Sequence, residues 1–177
     1  MHYHLAANYR ERGMAEKAME QYAEAIKLRP AYAEAHFDLG NIYLSKGQID
    51  EAIGHFLKGF ETEPALPWAH YNLGNAYRAK GLINEAIKEY QAAVKLRPSF
   101  WEAHSNLATA FWFKGLIDRS IEHYRASLKI NPDNPEVHYN LAVAYGSKGV
   151  FDGEIEHCLM ALRLRPDFAE ARRSLDM

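Results

Sequence analysis

Five histidines, His2, His36, His70, His104 and His138, recur at one spacing of 34 residues. A column of imidazoles offers two chemistries, metal ligation or polar packing. Packed helices lie ~8–10 Å apart, whereas two histidines sharing one zinc must each place a nitrogen ~2.0–2.1 Å from it. No carboxylate or thiol column stands beside the imidazoles, so packing is the expectation, with no metal site and no cofactor; His2 and His4 at the open end can still take up a metal adventitiously. Cys158 occupies a column otherwise held by Tyr22, Phe56, Tyr90 and Tyr124, which reads as a buried hydrophobe rather than a nucleophile. There is no phosphate-cradling glycine loop, no nucleophile elbow and no metalloprotease His-Glu helix, so no catalytic residue is assigned and the chain is expected not to be an enzyme. The remaining chemistry lies in amides: Asn72, Asn106 and Asn140 share one column and Asn41 and Asn75 another. An asparagine offers a donor and an acceptor together, and can pair with a peptide backbone whatever its side chains.

The elements that position these residues follow from the same period. Gly13, Gly47, Gly81, Gly115 and Gly149 keep the 34-residue spacing, as do Pro30, Pro64, Pro98, Pro132 and Pro166. Around Gly81, Leu73, Ala76 and Tyr77 recur at helical intervals before the glycine, and Ala86, Ile87, Tyr90 and Val94 after it. Each unit therefore reads as two amphipathic helices, the glycine stopping the first in a left-handed conformation and the proline ending the second. Asp50, Asn84, Asp118 and Asp152 stand where a side-chain oxygen can cap the second helix, and Asn134-Pro135-Glu136 reads as a cap, a first-turn proline and a first-turn acid. Small columns, such as Ala18, Ala52, Ala86 and Ser120, let helices approach closely, and large ones, such as Leu5, Leu39, Leu73, Leu107 and Leu141, fill the space between. The fifth unit departs: Glu154 falls in a small column, Gly153 precedes it, Gly146 interrupts the first helix, and the unit is expected to be the least stable.

The totals bound the partners. A formal charge of −2 over 177 residues, with Lys27, Arg29, Lys95 and Arg97 dispersed among acids, gives no basic arm for nucleic acid, and no apolar run approaches the ~18 residues of a membrane span. One cysteine cannot form an internal disulfide, which fits a reducing compartment and a cytoplasmic location. The N-terminus has no signal-peptide pattern and opens partway into a unit, so a preceding segment is expected.

Read together as Asn-Leu-Gly-Asn-Ala-Tyr, Lys-Gly, Glu-Ala-Ile, Tyr, Ala and Pro, the columns resemble the tetratricopeptide repeat (TPR). The resemblance implies an all-α superhelical solenoid of five helix-turn-helix repeats, at about 1–32, 33–66, 67–100, 101–134 and 135–168. Residues 169–177 would begin a sixth helix, the whole forming a single array over 1–177. It also implies that first helices line a concave groove, which places Phe37, Asn41, Tyr71, Asn72, Asn75, Arg78, Asn106, Trp112, Tyr139 and Asn140 toward a peptide ligand. Extended chain advances ~3.3 Å per residue, so one asparagine per repeat would grip every third residue. Asparagine and tyrosine in these columns serve stacking as well. The asparagine column is similar to the repeat arm of O-linked N-acetylglucosamine transferases, although no glycosyltransferase domain is present. The carboxylate clamp of co-chaperones is matched only by Asn75, since Tyr71, Ser105 and Tyr139 fill its basic places. The expected function is a noncatalytic scaffold binding a protein or peptide partner. A fragment of a larger transferase, or an array that self-associates through its terminal stacking faces, are the alternatives.

Overall fold

A computed structural model describes residues 1–175 as helices joined by short turns, without strand among the described residues. The chain forms two compact units, Met1–Glu89 and Tyr90–Met177. The first holds α1 (His2–Glu11), α2 (Ala15–Leu28), α3 (Ala33–Ser45), α4 (Ile49–Phe60) and α5 (Pro67–Ala79), followed by α6 (Ile83–Leu96). The second holds α7 (Trp101–Phe113), α8 (Ile117–Ile130), α9 (Pro135–Ser147), α10 (Phe151–Leu164) and the seven-residue α11 (Ala169–Leu175). The expected sixth first helix is thus present over 169–175; residues 176–177 lie outside the described residues.

Every first helix closes in the same way. Gly47 takes φ +75°, its amide donates to the Leu44 carbonyl at 3.0 Å, and the Gln48 amide donates to Tyr43 at 2.9 Å. This pair of bonds satisfies carbonyls that the helix end leaves open, and only a residue tolerating positive φ makes it cheaply. The other four glycines of the column repeat it, with φ between 71° and 81°.

Two expectations about helix ends are corrected. Asp50, Asp118 and Asp152 lie inside the first turn, after Gln48, Leu116 and Val150, and cap nothing. They complement the positive helix start instead, and Asp50 and Asp118 pair with Lys80 and Lys148 of the following hairpin, as Glu16 does with Lys46. These pairs are exposed and contribute little to stability. The second correction concerns α4, which stops at Phe60, four residues before Pro64. The Gly59 carbonyl there accepts from the Thr62 hydroxyl and from the Thr62 and Glu63 amides, a local alternative to another helical turn. Asn134 does cap α9, accepting from the Val137 amide at 3.0 Å.

Within each unit, packing runs from one hairpin into the next. In the first, Ala6, Ala18, Tyr22, Leu39 and Ile42 draw α1, α2 and α3 into one cluster, and Phe37, Phe56, Ala69 and Leu73 join α3, α4 and α5 in another. In the second, Ala108, Ile121, Tyr124, Val137 and Leu141 tie α7 and α8 to α9. Full burial of a large apolar side chain such as Leu39, Phe56 or Leu141 is worth ~1.5–3 kcal/mol. Close approach has a hard limit: a Cβ on Gly59 would lie 2.5 Å from the Phe37 ring.

Gly146 does not interrupt α9, which continues to Ser147. A Cβ there would lie 2.6 Å from a carboxylate oxygen of Glu154, so the space this glycine leaves is filled by the acid standing in the small column. Arg10, Leu44, Arg78 and Trp112 hold the Gly146 column elsewhere; the fifth unit has exchanged large for small across the helix contact. The clash is with the far end of a flexible side chain, so Gly146→Ala should gain at most the ~1 kcal/mol of helix propensity, reduced by what it costs to swing the Glu154 carboxylate aside. In urea unfolding, Gly146→Ala should be more favourable in a Glu154→Ala background than alone, whereas additive changes would mean that the two positions are independent.

Candidate functional site

The second unit brings three of the sequence-predicted residues together. Trp112 and Phe113 at the end of α7, and Tyr139, Asn140 and Val143 on α9, line an open cavity of about 230 Å³ floored by Thr109 and Tyr124. Helical spacing explains the convergence: 109, 112 and 113 lie on one face of α7, and 139, 140 and 143 on one face of α9. The Tyr124 and Thr109 hydroxyls bond at 2.8 Å, which settles the polar end of a largely buried tyrosine. Trp112 donates its indole N–H toward the Ser147 hydroxyl at 3.4 Å, and the Tyr139 ring packs 5.1 Å from Phe168. Phe113 is 62 % exposed. The cavity offers aromatic area with an amide at its side, the combination that receives an apolar side chain while pairing with backbone. Asn106, also on α7, is half-buried and has interactions of its own.

In the first unit the amides answer one another. The Asn72 side-chain NH₂ donates to the Asn41 side-chain oxygen at 2.8 Å, linking α5 to α3. Tyr71 and Asn75 are half-buried and engaged in contacts, while Arg78 is exposed. Phe37 corrects the expectation. It is fully buried, edge-on to Phe60 and Trp68 at ring distances of 5.3 and 5.2 Å, and belongs to the core rather than to a ligand-facing surface. The reason is Gly59, whose missing side chain admits the Phe37 ring.

Sequence reading missed a node on Asp38, placed by periodicity beside the asparagines. This carboxylate is 8 % exposed and accepts from the Tyr22 hydroxyl at 3.0 Å and the Tyr3 hydroxyl at 3.1 Å, and is ion-paired with Arg10. Burial, followed by the Asp38 charge, raises the pKa of both tyrosines. The Arg10 charge is thereby matched inside the molecule. An acid in a column of amides, with an arginine on the first helix of the preceding repeat, was the available signal.

The histidine column is likewise resolved. His36, His70, His104 and His138 each place Nε2 within 2.9–3.1 Å of the carbonyl of Pro30, Pro64, Pro98 or Pro132. Their Nδ1 atoms meet a second column 19 residues on, His55, Glu89, His123 and His157, with Gln21 opposite His2. Among the described residues no group of three or more histidines, cysteines or carboxylates is placed to hold a metal ion. Cys158 is buried, which raises its pKa and leaves the thiol protonated. No helix among the described residues is long and apolar enough to cross a membrane.

Paired helices, glycine turns at a fixed interval and a core passed from pair to pair define a helical repeat protein of the solenoid class. The chain belongs to the TPR repeat family, whose profile matches residues 8–45, 40–81, 74–115 and 113–149. Among solved structures, it is similar to YrrB, described as a TPR protein with an unusual peptide-binding site: TM-score 0.90 and 23 % identity, over 99 % of this chain and 91 % of that one. MamA gives a TM-score of 0.85 at 23 % identity over 97 % of both chains. MamA from Desulfovibrio magneticus RS-1, from residue 41 onward, gives 0.87 at 18 % over 95 % of both. At these identities the likeness is one of fold. No curated protein sequence matches the chain significantly.

Replacing Asp38 by alanine should cost roughly 1–3 kcal/mol in unfolding free energy, because the buried Tyr22 hydroxyl loses its acceptor. Urea denaturation measures this; a change within a few tenths of a kcal/mol would show that the node contributes nothing net.

Proposed function

We propose that this chain is a noncatalytic interaction scaffold that binds a peptide segment of a partner protein, with 1–177 acting as one array of the repeats delimited above. The observation that carries the reading is the aromatic cavity of the second unit, where Trp112, Tyr139 and Asn140 converge from two first helices. Exposed aromatics beside amides supply area and backbone pairing, the two requirements for holding extended chain. In the first unit, Tyr71, Asn72, Asn75 and Arg78 supply a further contact surface, with Arg78 as an exposed cation for an acidic side chain. The bond between Asn72 and Asn41 leaves one Asn72 hydrogen and the second lone pair of the Asn41 oxygen for a ligand. YrrB, a TPR protein of the same fold with a peptide-binding site, is consistent with this use.

A second reading, self-association, is favoured by one feature of α10. Phe151, Ile155 and Leu159 stand one turn apart and are 66 %, 49 % and 55 % exposed, while Ile117 and Ile121, their counterparts on α8, pack against α9. Light scattering across protein concentration separates the two, a constant monomer mass removing the second.

For the leading reading, peptides selected from a random display library against the wild-type protein would be measured by fluorescence anisotropy. Trp112→Ala should weaken binding about tenfold or more, with some loss of stability because its ring also packs on the core, and Asn140→Ala several-fold with the thermal midpoint nearly unchanged. A library that yields no binder, or peptides indifferent to both substitutions, would sink the proposal.

A further inference from the structure

Three of the imidazole contacts have a geometry that only a proton can complete. Nδ1 of His36 lies 3.0 Å from Nδ1 of His55, and the pairs His104 with His123 and His138 with His157 are separated by 3.1 Å. The ring centres of these pairs are 5.2–5.3 Å apart, so the two nitrogens sit nearly on the line joining the rings. With each nitrogen aimed at the other, a metal ~2.0–2.1 Å from both atoms would sit well off both lone-pair directions. It suits an N–H···N hydrogen bond.

The hydrogens follow from the outer contacts. The proline carbonyl can only accept, so Nε2 of His36, His104 and His138 carries a proton. In the neutral ring Nδ1 is then an acceptor, and Nδ1 of His55, His123 or His157 must donate to it. Each pair is thus a relay from the second helix, through two rings, to the loop before the first helix. With both rings charged, two N–H groups would face each other at 3.0–3.1 Å without an acceptor.

We propose that these three dyads are proton-sensitive joints, each of which ties the two helices of its hairpin together while its rings are neutral and loses that stabilisation as pH falls, because unfolding frees the second-column ring to take a proton. The surroundings favour the neutral state. His55 is pushed down to about 4, by burial first, then by His36 and Lys58. His123 and His157 are lowered by burial and by His104 and His138. Arg119 and Arg125 reinforce these two shifts, while Glu122 and Glu156 oppose them. Tyr43, Phe111 and Tyr145 stack on the three rings and add no charge at these pH values.

The sign is the same for all three. An unfolded histidine takes its proton near 6.5 and these folded ones take it lower, so their contribution is fully present above about pH 6.5 and is lost as pH falls toward the folded value. The chain carries its own contrast. His70 faces Glu89 at 2.7 Å, and this carboxylate with the Pro64 carbonyl raises its pKa despite burial, so its contribution is present below about 6.5 and lost as pH rises through the folded value.

The chain also supplies the control substitution, since Gln21 holds the second-column place opposite His2 at 2.8 Å. Urea unfolding of the wild type and of the His55→Gln, His123→Gln, His157→Gln triple variant would be followed from pH 7.5 to pH 5. The wild type should take up more protons on unfolding than the variant, at most about one per dyad, and its urea midpoint should fall more steeply. Equal pH dependence would overturn the proposal. Imidazole NMR of the wild type decides the matter even if the variant does not fold. The Nδ1–H form of His55, His123 and His157, titrating below the ordinary histidine range, is required, and Nε2–H forms or ordinary titration would refute it.

Discussion

A helix pair of this chain cannot bury its own apolar face, and that shortage organises the rest. Tyr22 and Phe56 are fully buried because α3 and α5 close over them; Tyr124 is buried beneath α9. The small columns set the closeness of that contact, so helix spacing and side-chain volume are specified together. Where a covering helix is lacking the same chemistry is left exposed, as Leu5 on α1 and Phe151 on α10 show. Binding surfaces are then the faces that stacking does not consume, and an aromatic cavity remains where Trp112, at the edge of the core, and Tyr139 face one another.

The repeat also shows how one position can carry different solutions to the same polar problem. Opposite the first histidine column stand Gln21, His55, Glu89, His123 and His157, and each supplies a partner for Nδ1. A buried imidazole without such a partner would cost free energy, so the second column is constrained to polar residues while free to vary in charge. Glu89 raises the pKa of the His70 ring opposite it, whereas His55, His123 and His157 at the same position have their own pKa values lowered. The local response to acid therefore differs from hairpin to hairpin, although the backbone is the same.

Much of the fold was legible because its signals are local. The positive φ of Gly47 follows from a helix ending at a lysine, and the Asn134 cap from an Asn-Pro-Glu sequence. The candidate site was legible only in part. Trp112, Tyr139 and Asn140 converge because helical spacing sets them on facing sides of α7 and α9, whereas Phe37 occupies the same column as Tyr71 and Tyr139 and is fully buried. Column membership assigns a direction from the helix axis; it does not say whether a neighbouring glycine has opened a slot. Gly59 did so for Phe37, and Gly146 for Glu154, each by a contact between different helices. The Asp38 node was hidden for the same reason, since Arg10 and Tyr22 reach it from α1 and α2.

By itself the sequence determined the helix pairs, their glycine turns, the period and the family, since each depends on residues within one turn or on strict recurrence at 34 residues. Only tertiary structure decided which polar groups are satisfied internally and which are offered outward. Side chains with the same period diverge according to what the next helix places against them, and a hydrogen bond or a steric slot depends on distances of tenths of an ångström that periodicity does not encode. The imidazole pairs illustrate both: their columns are visible in the sequence, and their head-on approach exists only once two helices have packed.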